Sequence, residues 1–176
     1  MNTTQKKSNE PQMDNGLHKL FMDELAHLLN AEQQLTNALP KMAAAANLEE
    51  LSEAFTSHLA ETEGHITRLK QVFASLGAKA ASKNCKAMKV LIEEADQLME
   101  DELDSAALDA ALIIAAQKFE HYEIASYGTV CAWAAQMGHT YELDLLMQNL
   151  EEEKTADDRL TDIAETTANK EAEARS

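Results

Sequence analysis

The chain has 176 residues, 45% of them hydrophobic, and its 31 acidic against 15 basic residues give a formal charge of −16. That length suits one globular domain, and the negative charge disfavours nucleic acid and anionic membrane surfaces as partners. Only five glycines, two prolines and 5% aromatic residues occur in the chain, which predicts an all-α protein.

Residues 1–16 lack the apolar core of a secretory signal and are predicted to be a disordered lead-in. The longest nearly uncharged run, from Ser105 to Gln117, is too short to span a bilayer. Cys85 and Cys131 lie far apart without CxxC spacing, which disfavours a zinc or redox motif and favours reduced thiols. Together these features predict a soluble, cytoplasmic protein.

The first predicted helix covers residues 17–46, because apolar side chains recur there at intervals of three and four residues. Pro40 is expected to kink its last turns. Glu32 lies among the leucines of the apolar stripe, where a solvated acid should not occur. Glu24 lies nearer one end of the stripe and is interpreted as a rim residue.

The second predicted helix covers residues 48–76 and ends at Gly77. His58 and His65 lie on its inward face, and Glu61 lies at the edge of that face. A single inward histidine is usually a hydrogen-bonded core residue. Two histidines placed three residues before and four after a glutamate can instead converge on one ion.

Residues 86–100 form a shorter amphipathic segment without an inward acid, which we interpret as a crossover helix. The third long helix is predicted over residues 105–137. Glu123 lies near the centre of its apolar stripe, whereas Glu120 and Tyr127 lie at the edge. Tyr127 is most simply a packed helix residue, and the alternative is that Tyr122 or Tyr127 relays an electron or proton.

Three isoleucines of the third helix, Ile113, Ile114 and Ile124, lie off its inward stripe. This helix is therefore apolar on more than one side, which indicates a second buried contact. Either a homodimer or the crossover helix could supply that contact, and the sequence leaves both interpretations open.

The fourth long helix is predicted from about residue 141 into the 160s, before a charged tail at residues 169–176. Glu153 and Asp157 fall on its apolar line, whereas Glu151 and Glu152 do not and are interpreted as solvated. Four long helices and a crossover helix predict a four-helix bundle over residues 17–168.

Acids and histidines on four inward faces predict a metal centre shared by the helices, because unpaired buried charges cost several kcal/mol or more. Carboxylate-rich sites with one or two imidazoles, built between facing helices, suit paired iron or manganese, and such a pair could bind and reduce O₂ or H₂O₂. The candidate ligands from periodicity are Glu32, His58, Glu61, His65, Glu123, Glu153 and Asp157. Glu61 and Glu153 are the candidates for bridging both ions.

Two other interpretations remain open. The bundle could sequester iron or use metal only for structure, or it could bind no metal and pair its acids with protonated histidines. The interpretation without metal leaves excess negative charge among the buried groups. The reason is that four basic residues lie off the inward stripes, namely Lys70, Lys118, Lys154 and Arg159. If the acids are buried as predicted, Glu123→Leu and Glu153→Leu should both stabilise the metal-free protein.

Five segments resemble the YciE/YciF family of bacterial ferritin-like proteins over residues 17–168: LNAEQQLTNALPKMA, SHLAETEGHITRL, NCKAMKVLIEEAD, KFEHYEIASYGT and LEEEKTADDRLTDIA. The resemblance implies a rubrerythrin-type four-helix bundle with a short extra helix, a homodimer and a link to stress responses. It also implies a site for two iron ions, with manganese as the alternative, on Glu32, His58, Glu61, Glu120, Glu123, Glu153 and Asp157. Glu120 enters this set through the resemblance alone, as a further ligand or a nearby base.

Overall fold

The chain folds into helices whose ends follow the sequence signals closely. The structure is a computed structural model that describes residues 16–174, so the predicted disordered lead-in lies outside the described residues apart from Gly16. The described residues form six α-helices and one π-helix: α1 Gly16–Ala45, α2 Glu49–Ser75, α3 Lys86–Glu100, α4 Ser105–Met137, α5 Thr140–Ile163, the π-helix Ala164–Ala168, and α6 Asn169–Ala174. Residues 16–174 contain no strand, which confirms the all-α class. None of these helices has an apolar stretch long enough for a bilayer crossing.

Capping residues explain both ends of α4. The Asp104 side chain accepts hydrogen bonds from the backbone N–H groups of Ala106 and Ala107, at 2.9 and 3.1 Å. Asp is among the preferred residues at this position because it satisfies N–H groups that have no partner within the helix. At the other end Gly138 has φ 75°, a left-handed conformation that glycine adopts without strain, so the helix stops where the sequence predicts.

The four long helices close a ring. α1 packs against α2 and α4, and α5 packs against the same two helices. The hairpins α1–α2 and α4–α5 therefore face each other across one interior. α3 packs on α1 and α4 and forms part of the long connection between the two hairpins. This arrangement confirms the predicted bundle with a crossover helix.

Two apolar clusters fill the interior, one toward each end of the bundle. Between them, every long helix contributes polar side chains. On α2, for example, Phe55 belongs to one cluster and Leu69 to the other, and the buried residues between them are His58, Thr62 and His65. The bundle therefore has a buried polar layer at mid-height.

The crossover helix accounts for part of the second apolar face of α4. Ile113 is 3% exposed and belongs to the same apolar cluster as Met88 and Ala95 of α3. Ile114, the next residue, is 51% exposed. The crossover interpretation therefore holds for Ile113, and the homodimer stays a prediction.

Candidate metal centre

Six of the eight predicted ligands converge in the buried polar layer, and all six are buried: Glu32, His58, His65, Glu120, Glu123 and Glu153. Their ligand atoms form two groups, each with all of its atoms within 4.8 Å of one another. One group contains His58, Glu120, Glu123 and Glu153, and the other contains Glu32, His65 and Glu153. Glu153 belongs to both groups, which suits a carboxylate that bridges two ions.

The helices bring these groups together by simple periodicity. His58 and His65 are seven residues apart on α2, which is about two turns, so they lie on the same face of that helix. Glu120 and Glu123 are three residues apart on α4 and are also neighbours on one face. α1 contributes Glu32 and α5 contributes Glu153, which completes the layer.

The polar atoms of the centre lie close together but are poorly satisfied. His58 Nε2 lies 3.3 Å from Glu120 Oε2, and His65 Nδ1 lies 2.9 Å from Glu153 Oε1 and 3.2 Å from Glu32 Oε1. These contacts bring histidine nitrogens and carboxyl oxygens together without hydrogen-bond geometry at the buried nitrogen atoms. The centre therefore contains close donors and acceptors that do not satisfy one another.

The unsatisfied atoms match what a pair of cations needs. Within residues 16–174, all but one of the buried side-chain N and O atoms without a hydrogen-bond partner belong to the six converging residues, and the exception is the Thr62 hydroxyl. Native proteins leave few such atoms, and each unsatisfied group costs about 1–3 kcal/mol. Carboxylate oxygens and imidazole nitrogens without partners are ligands for iron or manganese. The residues present therefore fit two metal ions.

Neighbouring charges hold Glu153 and His65 as an ion pair in the absence of cations. Burial alone would raise the pKa of Glu153, but the nearby His58, Glu120 and His65 lower it to about 2. Burial would lower the pKa of His65, but the carboxylates of Glu32 and Glu153 raise it to about 10. Without metal, His65 therefore carries a proton that a metal ion would have to displace.

The pKa values of Glu120 and Glu123 shift in the opposite direction to the pKa of Glu153. Burial, and next the negative charge of Glu153, raise the pKa of each carboxyl well above its ordinary value. Two acids of the same layer therefore hold protons while Glu153 is ionised. Metal binding would release those protons, since metal ligands must be deprotonated.

Residues outside the predicted ligand set hold the ligands in place. Tyr127 is buried and donates a hydrogen bond from Oη to Glu32 Oε1 at 2.5 Å, and Asn149 Nδ2 donates to Tyr127 Oη at 2.9 Å. Glu152 Oε2 lies 2.9 Å from His65 Nε2 and also accepts a hydrogen bond from Arg68. In metal sites, the imidazole nitrogen that faces away from the ion commonly forms a hydrogen bond with a carboxylate.

The sequence interpretation missed Glu152, Arg68 and Asn149. Glu152 was assigned to solvent, and its side chain is in fact 36% exposed, yet it reaches His65 from the edge of α5. Asn149 carried a usable signal, because it lies four residues before Glu153 on the same inward stripe and is 0% exposed. The sequence signal for Arg68 was weaker, and it consisted of its position three residues after His65.

Glu61 and Asp157 do not enter either group. Glu61 is 37% exposed, and its Oε2 lies 3.3 Å from His58 Nδ1, on the side of the ring away from the centre. Asp157 accepts a hydrogen bond from Gln117, and its Oδ2 lies 3.1 Å from His121 Nε2. Four residues after Glu153, Asp157 is rotated by about 40° around the helix, which carries it out of the layer.

Glu120 differs from Glu61 and Asp157, because it lies inside the polar layer although periodicity places it at the edge. Periodicity placed it at the edge of the α4 stripe, but its side chain is 1% exposed and lies among the ligand atoms around His58. The inward sector of α4 is wider than its leucines alone indicate, because both α1 and α5 pack against this helix. The expected edge position is therefore wrong, although the resemblance had included Glu120.

Comparisons with known proteins agree with the fold. Residues 16–173 match the protein family described as a domain of unknown function, DUF892. Protein YciF of Escherichia coli K12 is 48% identical over 158 residues, which are 89% of this chain and 95% of YciF.

Two solved structures are also similar. The crystal structure of the E. coli stress protein YciF has a TM-score of 0.85 at 46% identity, over 89% of this chain and 99% of that one. YcfI of Rhodopseudomonas palustris, described as a candidate structural protein, has a TM-score of 0.82 at 44% identity, over 86% and 97% of the chains. The likeness therefore extends over nearly all of the described residues.

Proposed function

The chain belongs to the DUF892 family and is a relative of the stress protein YciF, and on this premise we propose that it is a two-metal protein of the stress response that handles oxygen or peroxide. One observation carries the proposal. The unsatisfied buried N and O atoms are concentrated in six side chains whose ligand atoms form two adjoining groups. A cation in each group would satisfy them, and buried acids on three helices that face two buried histidines on the fourth have no comparable explanation as packing.

The donor set favours iron, with manganese as the alternative. Four carboxylates and two imidazoles are hard and intermediate donors, and the group contains no thiolate, which zinc sites commonly use. His58, Glu120 and Glu123 would hold one ion, Glu32 and His65 would hold the other, and Glu153 would serve both. When bound, two redox-active ions would supply the electrons that reduce dioxygen or peroxide.

The protein side chains then have defined tasks. Tyr127 keeps its proton, because burial and the nearby Glu32 raise its pKa well above the ordinary value, and it orients Glu32 through that proton. Glu152 orients the His65 ring from its outer nitrogen. Glu61 does the same for His58, since its carboxylate lies beside Nδ1 and leaves Nε2 to face the centre.

A second candidate function is non-enzymatic. The R. palustris relative is described as a candidate structural protein, and the polar layer interrupts the apolar core between two clusters. Metal ions in this layer would cross-link four helices and stabilise the bundle, whether or not they react. Sequestration of iron under stress would use the same ligands.

The deciding measurement is elemental analysis of protein expressed with both iron and manganese in the medium. We expect close to two ions per chain in the wild type and a clear loss in Glu153→Gln, which removes a carboxylate oxygen from the shared ligand. Glu151→Gln is the matched control, because Glu151 is exposed and pairs with the exposed Lys154. Near-zero metal after anaerobic loading with Fe(II) would contradict both candidate functions.

Peroxide consumption then separates the two candidates. If the loaded wild type consumes H₂O₂ and Glu153→Gln does not, the enzymatic function is supported. A loaded protein that gains thermal stability but consumes no more H₂O₂ than free iron would favour the structural or sequestering role.

A further inference from the structure

A small pocket opens beside one half of the centre, the half that contains His58 and Glu120. It lies between α2 and α5, has a volume of about 100 Å³, and is lined in part by His58, Glu61, Glu120 and Arg159. Pockets for drug-sized ligands usually measure roughly 300–1,000 Å³. This one therefore has room for a few molecules of the size of water and is smaller than the pockets that hold drug-sized ligands.

The other half of the centre is closed. Tyr127 covers Glu32 through a direct hydrogen bond, and Glu152 occupies the outer nitrogen of His65. Neither Glu32 nor His65 lines the pocket, whereas His58 and Glu120 do. An external molecule that enters through the pocket therefore meets the ion position of His58 and Glu120 first.

Arg159 gives the pocket its chemical character. It is the only lysine or arginine among the residues that line the pocket. Within residues 16–174, ion pairs of basic side chains are formed by Arg68 and five lysines, and Arg159 is not among them. In a chain with a formal charge of −16, a guanidinium without a carboxylate partner at a pocket is a suitable group for holding an anion.

The charge of the centre permits an anion there. The pocket also contains Glu61, whose carboxylate would repel an anion in the metal-free protein. Two divalent ions would balance the four ligand carboxylates, and two trivalent ions would leave two positive charges. With trivalent ions bound, an anion in the pocket would have positive charge on both sides, from the ions and from Arg159.

We propose that this pocket is the entry and binding position for a small monovalent anion of two or three heavy atoms, and that Arg159 holds the anion beside His58 and Glu120. The inference rests on the proposed two-metal function and adds the ligand class and the residue that selects it. Deprotonated peroxide belongs to this class of ligand, and azide is its experimental probe.

The first test is an azide titration of oxidised, iron-loaded protein, followed through the azide-to-iron absorption band. We expect Arg159→Gln to raise the Kd for azide about tenfold, because a charge-assisted hydrogen bond is lost. Lys154→Gln is the matched control on the same helix. It removes the same charge, but its Nζ lies 2.7 Å from Glu151 Oε1 on an exposed surface, so a change of less than twofold is expected.

A second test separates charge from access. Nitric oxide is uncharged, so its binding to the ferrous protein should be unchanged in Arg159→Gln. Ala156→Leu narrows the pocket and should slow the association of both azide and nitric oxide. Ser57→Leu, at an exposed position of the lining, serves the same purpose if Ala156→Leu does not fold.

The outcomes distinguish this inference from the proposed function. A wild type without iron would overturn both. Two irons per chain in every variant, with the same Kd for azide in Arg159→Gln and Lys154→Gln, would overturn the role of Arg159 alone. Unchanged association rates in both narrowed variants would show that the anion enters by another route. This result would overturn the assignment of this pocket as the entry position.

Discussion

Glu123 and Glu153 show how much the surroundings decide the state of one residue type. Both are 0% exposed and lie in the same layer. In both residues the two carboxyl oxygens lack a hydrogen-bond partner. Burial followed by the charge of Glu153 raises the pKa of Glu123 well above the ordinary value. Glu153 faces two histidines, and its pKa falls to about 2. In the metal-free protein, one of these acids is neutral and the other is charged.

This difference changes the stability expected of two leucine variants. Glu123→Leu removes an unsatisfied buried carboxyl and should stabilise the metal-free protein by about 1–3 kcal/mol. Glu153→Leu removes the counter-charge of His58 and His65 and should destabilise it, contrary to the expectation from the sequence alone. Urea unfolding at neutral pH measures both, and a loss of stability in Glu123→Leu would contradict the placement of that acid.

Glu152 permits a test of the residues that orient the metal ligands. Glu152→Gln should weaken the binding of the ion at Glu32 and His65 by about tenfold to a hundredfold, since carboxylates behind metal-binding imidazoles commonly have this effect. Metal retention against a chelator measures the change. Glu151→Gln, the neighbouring exposed position, should retain metal as the wild type does. Equal retention in both variants would show that Glu152 only forms a surface ion pair.

At the scale of the elements, one side chain ties the two hairpins together. Asp109 of α4 is 2% exposed and accepts hydrogen bonds from the backbone N–H groups of Asn47 and Leu48, at 2.7 and 3.0 Å. These N–H groups belong to the turn between α1 and α2 and have no helical partner of their own. Asp109 therefore caps a helix of the other hairpin, a role that no local pattern indicates.

Asp109→Ala should cost about 2 kcal/mol of unfolding free energy, because it leaves two N–H groups of this turn without their acceptor. Asp104→Ala removes an exposed cap of α4 and should cost about 1 kcal/mol. Chemical denaturation compares the two. The metal content of Asp109→Ala should stay at the wild-type value, since Asp109 lies outside the polar layer. A smaller loss than in Asp104→Ala would contradict the cross-hairpin cap.

The whole metal-free molecule should be most stable at mildly acidic pH. The pKa of His65 is raised from 6.5 to about 10, so its stabilising contribution is complete below pH 6.5 and is lost as pH rises toward 10. Glu120 and Glu123 have raised pKa values and act in the same direction from pH 4.5 upward. Glu153, with its lowered pKa, opposes this trend only as pH falls toward 2.

We therefore expect the Tm of the metal-free protein to fall between pH 6.5 and 10, and the Tm of the loaded protein to change less. High salt in the buffer screens repulsion among exposed acids, and the buried contribution should persist there. A Tm of the metal-free protein that rises over this range would contradict the ion pairing of His65.

Much of this architecture could be predicted, because residues within and next to each helix determine where that helix forms. Apolar periodicity, Gly138 and the capping Asp104 define the helices, and five of the six converging residues could be recognised as polar groups on apolar faces: Glu32, His58, His65, Glu123 and Glu153. The π-helix at residues 164–168 had no such signal and was not predicted.

The tertiary structure decided which polar residues meet. Periodicity determines the angle of a residue around its own helix, but it does not determine how far a neighbouring helix extends the buried sector or which side chains reach across the gap. Glu120 is therefore inside, Asp157 pairs with His121 at the edge, and Glu152 contacts His65 from a half-exposed position. The sequence by itself determined a helical bundle with buried acids. The packing of four helices against one another determined the centre that those acids form.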